Sequence, residues 1–141
     1  MTDHVLVKIT GPGRLPLRAL NGDAGADLFV AEAVTIDPQS FVDVHSGIQI
    51  SLPPGVWCEI VGRSSTLRKR GLLVIQGVID NGYTGPLYAG VWNLTDQPVL
   101  VEAGERLAQL ILHPLIERPF VEWFDELPTT ARGSNGFGST G

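Results

Sequence analysis

Glycine and proline interrupt this chain so often that they exclude long helices. The 141 residues include 17 glycines and 10 prolines, and no window sustains a 3.6-residue apolar period beyond about two turns. Between these breaks lie short runs rich in Val, Ile, Leu and aromatic residues, which are HVLVKI, ADLFVA, FVDV, GIQISL, VWCEIV, LYAGVWNL, PVLV, RLAQLILH and FVEWF. Short strands at this spacing predict an all-β fold of the sandwich, jelly-roll or barrel type.

One short helix is expected within this all-β pattern. The stretch GRSSTLRKRG predicts a helix over residues 64–70, in which a serine caps the first turn and Gly71 ends the last. Free N–H groups at a helix start attract anions, so Arg63, Ser64 and Ser65 are candidate phosphate ligands. The plainer alternative is simple capping with a solvated basic face, which is the better interpretation of the basic residues near the helix end.

A change in composition divides the chain near its end. The length fits one domain, but after Leu127 apolar residues almost vanish apart from Ala131 and Phe137. We therefore expect a single β domain over residues 1–127 and a flexible C-terminal arm over residues 128–141. The 43% of hydrophobic residues is a mild sign of oligomerisation, although a well-filled core explains it equally well.

Charge and cysteine content argue against several classes of function. A net charge of -5 without a long basic block argues against direct nucleic-acid binding. No apolar run approaches the ~18 residues of a membrane-spanning helix, and no signal peptide is visible, so a cytoplasmic location is expected. The single cysteine, Cys58, excludes an intramolecular disulfide, and its apolar neighbours favour a buried thiol over a nucleophile. Three scattered histidines make a zinc site improbable.

The final residues, RGSNGFGSTG, combine glycines with one arginine and one aromatic. Glycine-rich backbone can direct its N–H groups at phosphate oxygens, and Arg132 offers a planar fork suited to phosphate. Phe137, between glycines, can lie flat on a base. The spacing from Gly133 to Thr140 approaches that of a P-loop, but the lysine and the following helix are missing. The alternative is a flexible terminus with an incidental phenylalanine.

The stretch GVIDNGYTGPLYAGVWN predicts strand, turn and strand, with Asn81-Gly82 as a strong hairpin signal. A hairpin backbone presents donors and acceptors that can imitate a base-pairing edge. Asp80 is placed to orient and deprotonate a water, and Tyr83 to pack on a sugar. An ordinary hairpin with an Asx-type turn and a core tyrosine is the alternative.

Two further carboxylates are candidates for a metal. Asp27 in DAGADLF and Glu105 in GERLAQL are placed to contact a hydrated Mg²⁺, which binds through one or two carboxylates plus substrate phosphates. Each is equally explained as a charge at a turn or at the end of a strand.

Taken together and in order, five stretches resemble the motifs of the trimeric dUTPase family, the deoxyuridine triphosphate nucleotidohydrolases. They are DAGADLF, GRSSTLRKRG, GVIDNGYTGPLYAGVWN, GERLAQLIL and RGSNGFGSTG. The resemblance runs from about Asp23 to the last residue, and five ordered motifs are far more specific than any one of them.

The resemblance implies a jelly-roll-like, distorted β-barrel subunit in a homotrimer whose active sites are shared between subunits. The implied reaction is the Mg²⁺-dependent hydrolysis of dUTP to dUMP and pyrophosphate, which limits uracil incorporation into DNA and supplies dUMP for thymidylate synthesis. Ser65-Thr66 departs from the Gly-Leu of many relatives. Asn135 replaces a common glycine in the arm, where we expect it to preserve a left-handed backbone.

The resemblance also implies roles for single residues. Asp80 would activate the attacking water, Asp27 would support the hydrated metal through water, Tyr83 would leave no room for a 2′-hydroxyl, and the arm would close over phosphates and base. The implied substrate-binding residues are Arg63, Ser64, Ser65, Gly77, Val78, Ile79, Asp80, Tyr83, Tyr88, Gln109, Arg132, Phe137 and Gly138.

Two alternatives stay open at this point. A dCTP deaminase shares the fold, but the place of its catalytic glutamate, counted from Asn93, is occupied here by Gly90. The other alternative is a protein of this fold that serves as a regulatory or partner-binding module.

Overall fold

The computed structural model describes residues 3–138, which form ten strands and one helix. The elements are β1 Leu6–Ile9, β2 Gly25–Phe29, β3 Val34–Ile36, β4 Phe41–Ser51, β5 Val56–Gly62, α1 Ser64–Arg70, β6 Leu72–Val74, β7 Gly77–Ile79, β8 Pro86–Asn93, β9 Val99–Val101 and β10 Arg106–Pro114. The prediction of an all-β chain with one short helix is confirmed. No helix in this part of the chain is long and apolar enough to cross a membrane.

Two four-stranded antiparallel sheets enclose the core. The first has the order β1-β4-β8-β6, the second β2-β10-β5-β7, and β3 pairs with β9 in a small third sheet. From β4 to β8 successive strands alternate between the two large sheets, so each connection crosses from one layer to the other. Buried and exposed residues alternate strictly in β8 apart from one half-buried glycine, because one face of the strand covers the core. The largest fully buried apolar side chains are Ile36, Ile48, Ile60, Leu72, Leu87, Val91 and Val101.

The helix has the predicted bounds, but its N-terminus differs from the prediction. Gly71 ends it in the left-handed conformation, with φ 66°, where glycine has no Cβ penalty. The expected serine cap is wrong: the N-cap residue is Arg63, and no side chain caps the helix. Thr66 is buried and its hydroxyl donates to the Leu107 carbonyl at 2.8 Å. This unusual threonine therefore ties α1 to β10.

Two strand predictions were wrong. The runs FVDV and GIQISL belong to one strand, β4, in which Gly47 has φ 69° and the pairing register shifts between His45 and Gln49. A bulge of this kind lets a strand bend without ending. The run FVEWF is not a strand: within residues 115–138 there is no helix or strand, and Phe120, Trp123 and Phe124 are exposed.

The C-terminal segment begins where β10 ends, at Pro114. Residues 115–138 are exposed apart from Gly136, which is half-buried. The division of the chain at residues 127 and 128 stays a prediction. Ser139, Thr140 and Gly141, with the end of the P-loop-like spacing, lie outside the described residues.

Candidate functional site

The first candidate site is the cleft beside the turn that joins β7 to β8. We call it the hairpin cleft after the hairpin that the sequence predicts there, but that prediction is wrong: the turn forms, while β7 and β8 belong to different sheets and do not pair with each other. The cleft has a volume of about 260 Å³. Its lining residues are Val78, Ile79, Asp80, Tyr83, Pro86, Leu87 and Tyr88. β7 is the last strand of its sheet and pairs on one side with β5. Its other edge therefore leaves backbone N–H and C=O groups for a ligand.

A tight turn places Asp80 at the mouth of the hairpin cleft. The Tyr83 N–H donates to the Asp80 carbonyl at 3.1 Å, and Gly82 takes φ 98°, which favours glycine. The Asp80 side chain is exposed, and it makes no hydrogen bond or ion pair with other side chains or backbone in residues 3–138. Its oxygens are thus available to accept hydrogen bonds from a water or a ligand.

Two tyrosine rings form one wall of the hairpin cleft. The Tyr83 hydroxyl donates to the Pro86 carbonyl at 2.9 Å. A Cβ at Gly85 would lie 2.6 Å from that hydroxyl, so only glycine leaves the ring in this position. The Tyr88 ring meets the His45 ring edge-on, with centroids 4.9 Å apart. Both tyrosines stay nearly half exposed, at 44%, and offer flat apolar surface to a planar ligand.

The second candidate site is a cleft of about 320 Å³ beside α1, which we call the arginine cleft. Its lining residues are Arg63, Ser65, Thr66, Lys69, Arg70, Glu105, Arg106 and Leu107. Four of these side chains are basic and one is acidic, and Arg70 forms an ion pair with Glu105. The surplus of positive charge suits a phosphate-bearing ligand.

Asp27 holds Arg63 in a fixed direction. The Arg63 Nε donates to Asp27 Oδ1 at 3.1 Å, and its Nη1 donates to the Arg106 carbonyl at 3.1 Å. The other carboxylate oxygen of Asp27 lies 3.6 Å from Arg106 Nη1. Arg106 was not among the predicted site residues, because no local sequence pattern shows that it shares Asp27 with Arg63.

Gln109 lies beside Asp27 in the sheet formed by β2, β10, β5 and β7. It is the pairing partner of Asp27 in the β10–β2 ladder, and its Nε2 donates to the Gly62 carbonyl at 3.0 Å. A Cβ at Gly25 would lie 2.1 Å from the Gln109 Oε1, so Gly25 makes room for this amide. The structure thus brings together Asp27, Arg63 and Gln109, which the sequence predicted from separate motifs.

The described part of the chain contains no group of three or more acidic, histidine or cysteine side chains that could hold a metal ion. Asp27 and Glu105, the two predicted metal contacts, are both paired with arginines. A divalent cation would therefore need most of its ligands from phosphate oxygens and water, which is the usual manner of Mg²⁺ binding with nucleotides.

The two clefts lie at opposite ends of β5. Ile79 pairs with Cys58 in the antiparallel ladder, so Asp80 lies beside Trp57, whereas Arg63 follows the far end of β5. At about 3.3 Å per strand residue, the six residues from Trp57 to Arg63 span roughly 20 Å. One phosphate group cannot contact both Asp80 and Arg63 of the same chain.

None of the predicted arm residues lines either cleft. The Asn135 N–H donates to the Arg132 carbonyl at 3.2 Å, and an Arg132 Nη1 donates back to the Asn135 carbonyl at 3.4 Å. Phe137, fully exposed, and Gly138 take positive φ, 49° and 85°. Asn135 does not, so the expected left-handed backbone at that position is not present.

Cys58 is fully buried in β5, as predicted. Burial raises the pKa of its thiol to about 11. At neutral pH the side chain is a protonated thiol in the core, and it takes no part in either cleft.

Comparison with known proteins indicates the family to which the whole chain is similar. A family model described as dUTPase matches residues 12–141. Over all of its length the chain is 43% identical to the deoxyuridine 5′-triphosphate nucleotidohydrolase of Leifsonia xyli subsp. xyli, covering 93% of that protein. It is 38% identical to the corresponding enzyme of Paramecium bursaria Chlorella virus 1, covering 99% of it. The solved structure of Staphylococcus bacteriophage 80alpha dUTPase with dUPNHPP superposes with a TM-score of 0.90 at 30% identity, covering 99% of each chain.

Proposed function

The chain belongs to the dUTPase family and hydrolyses dUTP, and we propose that it does so where the hairpin cleft of one copy meets the arginine cleft of another. The observation that carries this proposal is the separation of roughly 20 Å between Asp80 and Arg63 within one chain. A triphosphate held by both residues must therefore lie between two copies. A homotrimer, as expected for the family, provides such contacts by symmetry.

The hairpin cleft is the proposed base site. The open edge of β7, formed by the backbone of Gly77, Val78 and Ile79, faces the uracil with the alternating donors and acceptors of a strand. Tyr83 lies against the deoxyribose, where its ring leaves no space for a 2′-hydroxyl, and Tyr88 closes the wall of the cleft. The hydrogen bond from Tyr83 to Pro86 supports this because it fixes the ring before substrate binds.

Asp80 is the proposed general base. Its carboxylate accepts a proton from a water whose oxygen bonds to the α-phosphorus, and the bond from that phosphorus to the bridging oxygen breaks. The products are dUMP and pyrophosphate, and Asp80 then returns the proton to solvent. Phosphoryl transfer of this kind asks mainly for positioning and charge neutralisation, so a well-placed exposed carboxylate suffices.

The arginine cleft is the proposed phosphate site. Arg63 is already directed by Asp27, and Ser64 and Ser65 keep their hydroxyls free of helix capping. Gln109 contacts a phosphate or an ordered water from the adjoining strand. Mg²⁺ bound to the triphosphate would neutralise its charge, with Asp27 as a contact through water.

The C-terminal segment completes the proposed site. We assign residues 1–127 to the β domain and 128–141 to an arm in which Arg132 contacts phosphates while Phe137 and Gly138 cover the base. The full exposure of Phe137 supports this, because an isolated chain provides no surface for its ring. A cytoplasmic location belongs to the same proposal, since substrate and product are intracellular nucleotides.

A mixing experiment tests the shared site. Asp80→Asn and Arg63→Ala should each release little pyrophosphate from dUTP, whereas mixed and reassembled subunits should regain part of the activity. The matched control replaces the Arg63→Ala chain by the double variant, which leaves no intact Asp80 and should regain none. Failure of the first mixture, with both variants folded and assembled, would refute the shared site.

Substrate choice is tested by measuring pyrophosphate release from dUTP beside dCTP, dTTP and UTP. We expect release from dUTP alone among the four. A deaminase would instead convert dCTP, but Gly90 offers no carboxylate at the place of its catalytic glutamate, and a Cβ there would lie 2.9 Å from the Phe41 ring. Tight dUTP binding without any pyrophosphate release would favour the regulatory module.

A further inference from the structure

The turn that carries Asp80 is attached to a neighbouring turn by the side chain of Asn81. One Nδ2 group donates to two backbone carbonyls, those of Pro53 and Val56, each at 2.8 Å. Both N–H bonds of the amide are used: Pro53 lies in the short connection between β4 and β5, and Val56 is the first residue of β5. Hairpin signals in the sequence explain Asn81 as a turn residue and do not predict this contact.

The connection that receives Asn81 is itself held firmly. Gly55 takes φ 76° and its carbonyl accepts the Leu115 N–H at 2.9 Å. Val56 is also the last pairing partner of β10, opposite Pro114. The two carbonyls that hold Asn81 thus belong to a backbone fixed on two sides.

Asp80, by contrast, has no side-chain partner anywhere in the described range 3–138. The direction of its carboxylate follows from the backbone of its turn, and the neighbouring Asn81 is the side chain that attaches this turn to the domain. The preceding strand needs no such support, because Gly77 to Ile79 are paired with β5. Farther along the loop, Gln49 Nε2 donates to the Thr84 carbonyl at 2.9 Å, which fixes the part that follows Tyr83.

We propose that Asn81 is a positioning residue that aims the Asp80 carboxylate, while the base-binding edge of β7 is positioned independently of it. The inference rests on the proposed function, since it assumes that Asp80 is the general base. It predicts a division of effects: loss of the Asn81 amide lowers kcat and leaves nucleotide affinity nearly unchanged. A displacement of about 1 Å at a reacting group lowers rates on the order of 100-fold, so even a small relaxation of the turn is measurable.

A double-mutant cycle tests the proposal in the assembled, full-length protein. Turnover of dUTP is measured by pyrophosphate release for the parent, Asn81→Ala, Asp80→Asn and the double variant, and affinity is measured with α,β-imido-dUTP. We expect Asn81→Ala to lower kcat by about 10- to 100-fold and affinity by less than about three-fold. In the Asp80→Asn background the same change should lower the residual kcat by less than about three-fold, because residues acting as one unit are non-additive.

Controls separate positioning from general loss of structure. Gln49→Ala removes the other amide contact of the loop and should leave kcat within about three-fold, since that contact lies beyond Tyr83. Should Asn81→Ala fail to fold, Asn81→Leu, which keeps nearly the same size, adds no charge and has no N–H donors, takes its place.

The possible failures are distinguishable. Normal kcat in Asn81→Ala, or an equal loss of kcat with and without Asp80, overturns the positioning role and leaves the proposed function intact. Normal turnover in Asp80→Asn overturns the proposed general base, and the inference falls with it.

Discussion

Replacing Asp27 by asparagine separates two roles that its position allows. Its carboxylate is paired with Arg63 at 3.1 Å and with Arg106 at 3.6 Å, so its first role is to orient Arg63, the proposed phosphate ligand. Its second proposed role is a contact with hydrated Mg²⁺ through water. Asparagine has nearly the same shape and keeps one acceptor oxygen, but it loses the charge. We expect the variant to fold, with Arg63 held less firmly.

The loss of unfolding free energy expected for Asp27→Asn follows from the contacts of Asp27 with Arg63 and Arg106 and from their exposure to solvent. A hydrogen bond to a charged group contributes about 1.5–3 kcal/mol, and the neutral acceptor in Asn retains about 0.5–1.5 kcal/mol of it. Arg106 is half exposed, at 51%, so its contact adds at most about 1 kcal/mol. We expect a loss of about 1–2 kcal/mol. With about 2.1 cal/mol/K of unfolding entropy per residue over 141 residues, Tm falls by roughly 3–7 °C.

The assay combines thermal unfolding with kinetics at several Mg²⁺ concentrations. Tm is compared at one protein concentration, since assembly makes it concentration-dependent. If Asp27 acts through Arg63, kcat/KM for dUTP falls by about ten-fold, equivalent to about 1.4 kcal/mol, at every Mg²⁺ concentration. An unchanged Tm together with a ten-fold higher Mg²⁺ requirement would refute this reasoning and favour the metal role.

Three further predictions test other parts of the site. Deletion of the residues after Ala131 should abolish most turnover while leaving Tm nearly unchanged, because residues 132–138 contain no helix or strand and are exposed apart from Gly136; normal turnover would count against the closing arm. Tyr83→Ala should raise activity on UTP relative to dUTP in pyrophosphate release, and unchanged discrimination would contradict the steric role of the ring. Cys58 should react with a maleimide at pH 7 to 8 only after unfolding, because burial raises the pKa of its thiol to about 11 and little thiolate forms below that pH; fast labelling of the native protein would contradict its burial.

The parts of the fold that the sequence predicted well are those fixed by neighbouring residues. Residues 64–70 form the predicted helix because Gly71 supplies a left-handed end. The turn after Asp80 forms because Gly82 accepts the positive φ that it requires. In both places a few adjacent residues decide the backbone, and no distant contact is needed.

Predictions failed where the decisive contact is distant in the chain. Phe120 to Phe124 have the composition of a strand, but a strand requires a partner edge, and a single chain offers none at that place. Strand propensity reflects packing on a sheet more than a preference of the backbone. The pairing of Asp27 with Arg63 and Arg106 likewise depends on the register of β2, β5 and β10, which no local pattern encodes.

The register of β7 on β5 also explains why the proposed mechanism requires more than one copy of the chain. Because β5 separates Asp80 from Arg63 by roughly 20 Å, each isolated chain holds the proposed base site and general base at one end and the proposed phosphate site at the other. On this proposal neither cleft hydrolyses a nucleotide alone, since no cationic side chain lines the first and the second lacks Asp80. Exposed aromatic side chains in residues 120–124 add a further reason to associate, because their burial between copies is favourable by about 25 cal/mol per Å² of apolar surface. Dilution that dissociates the oligomer should therefore abolish hydrolysis while each subunit keeps its strands.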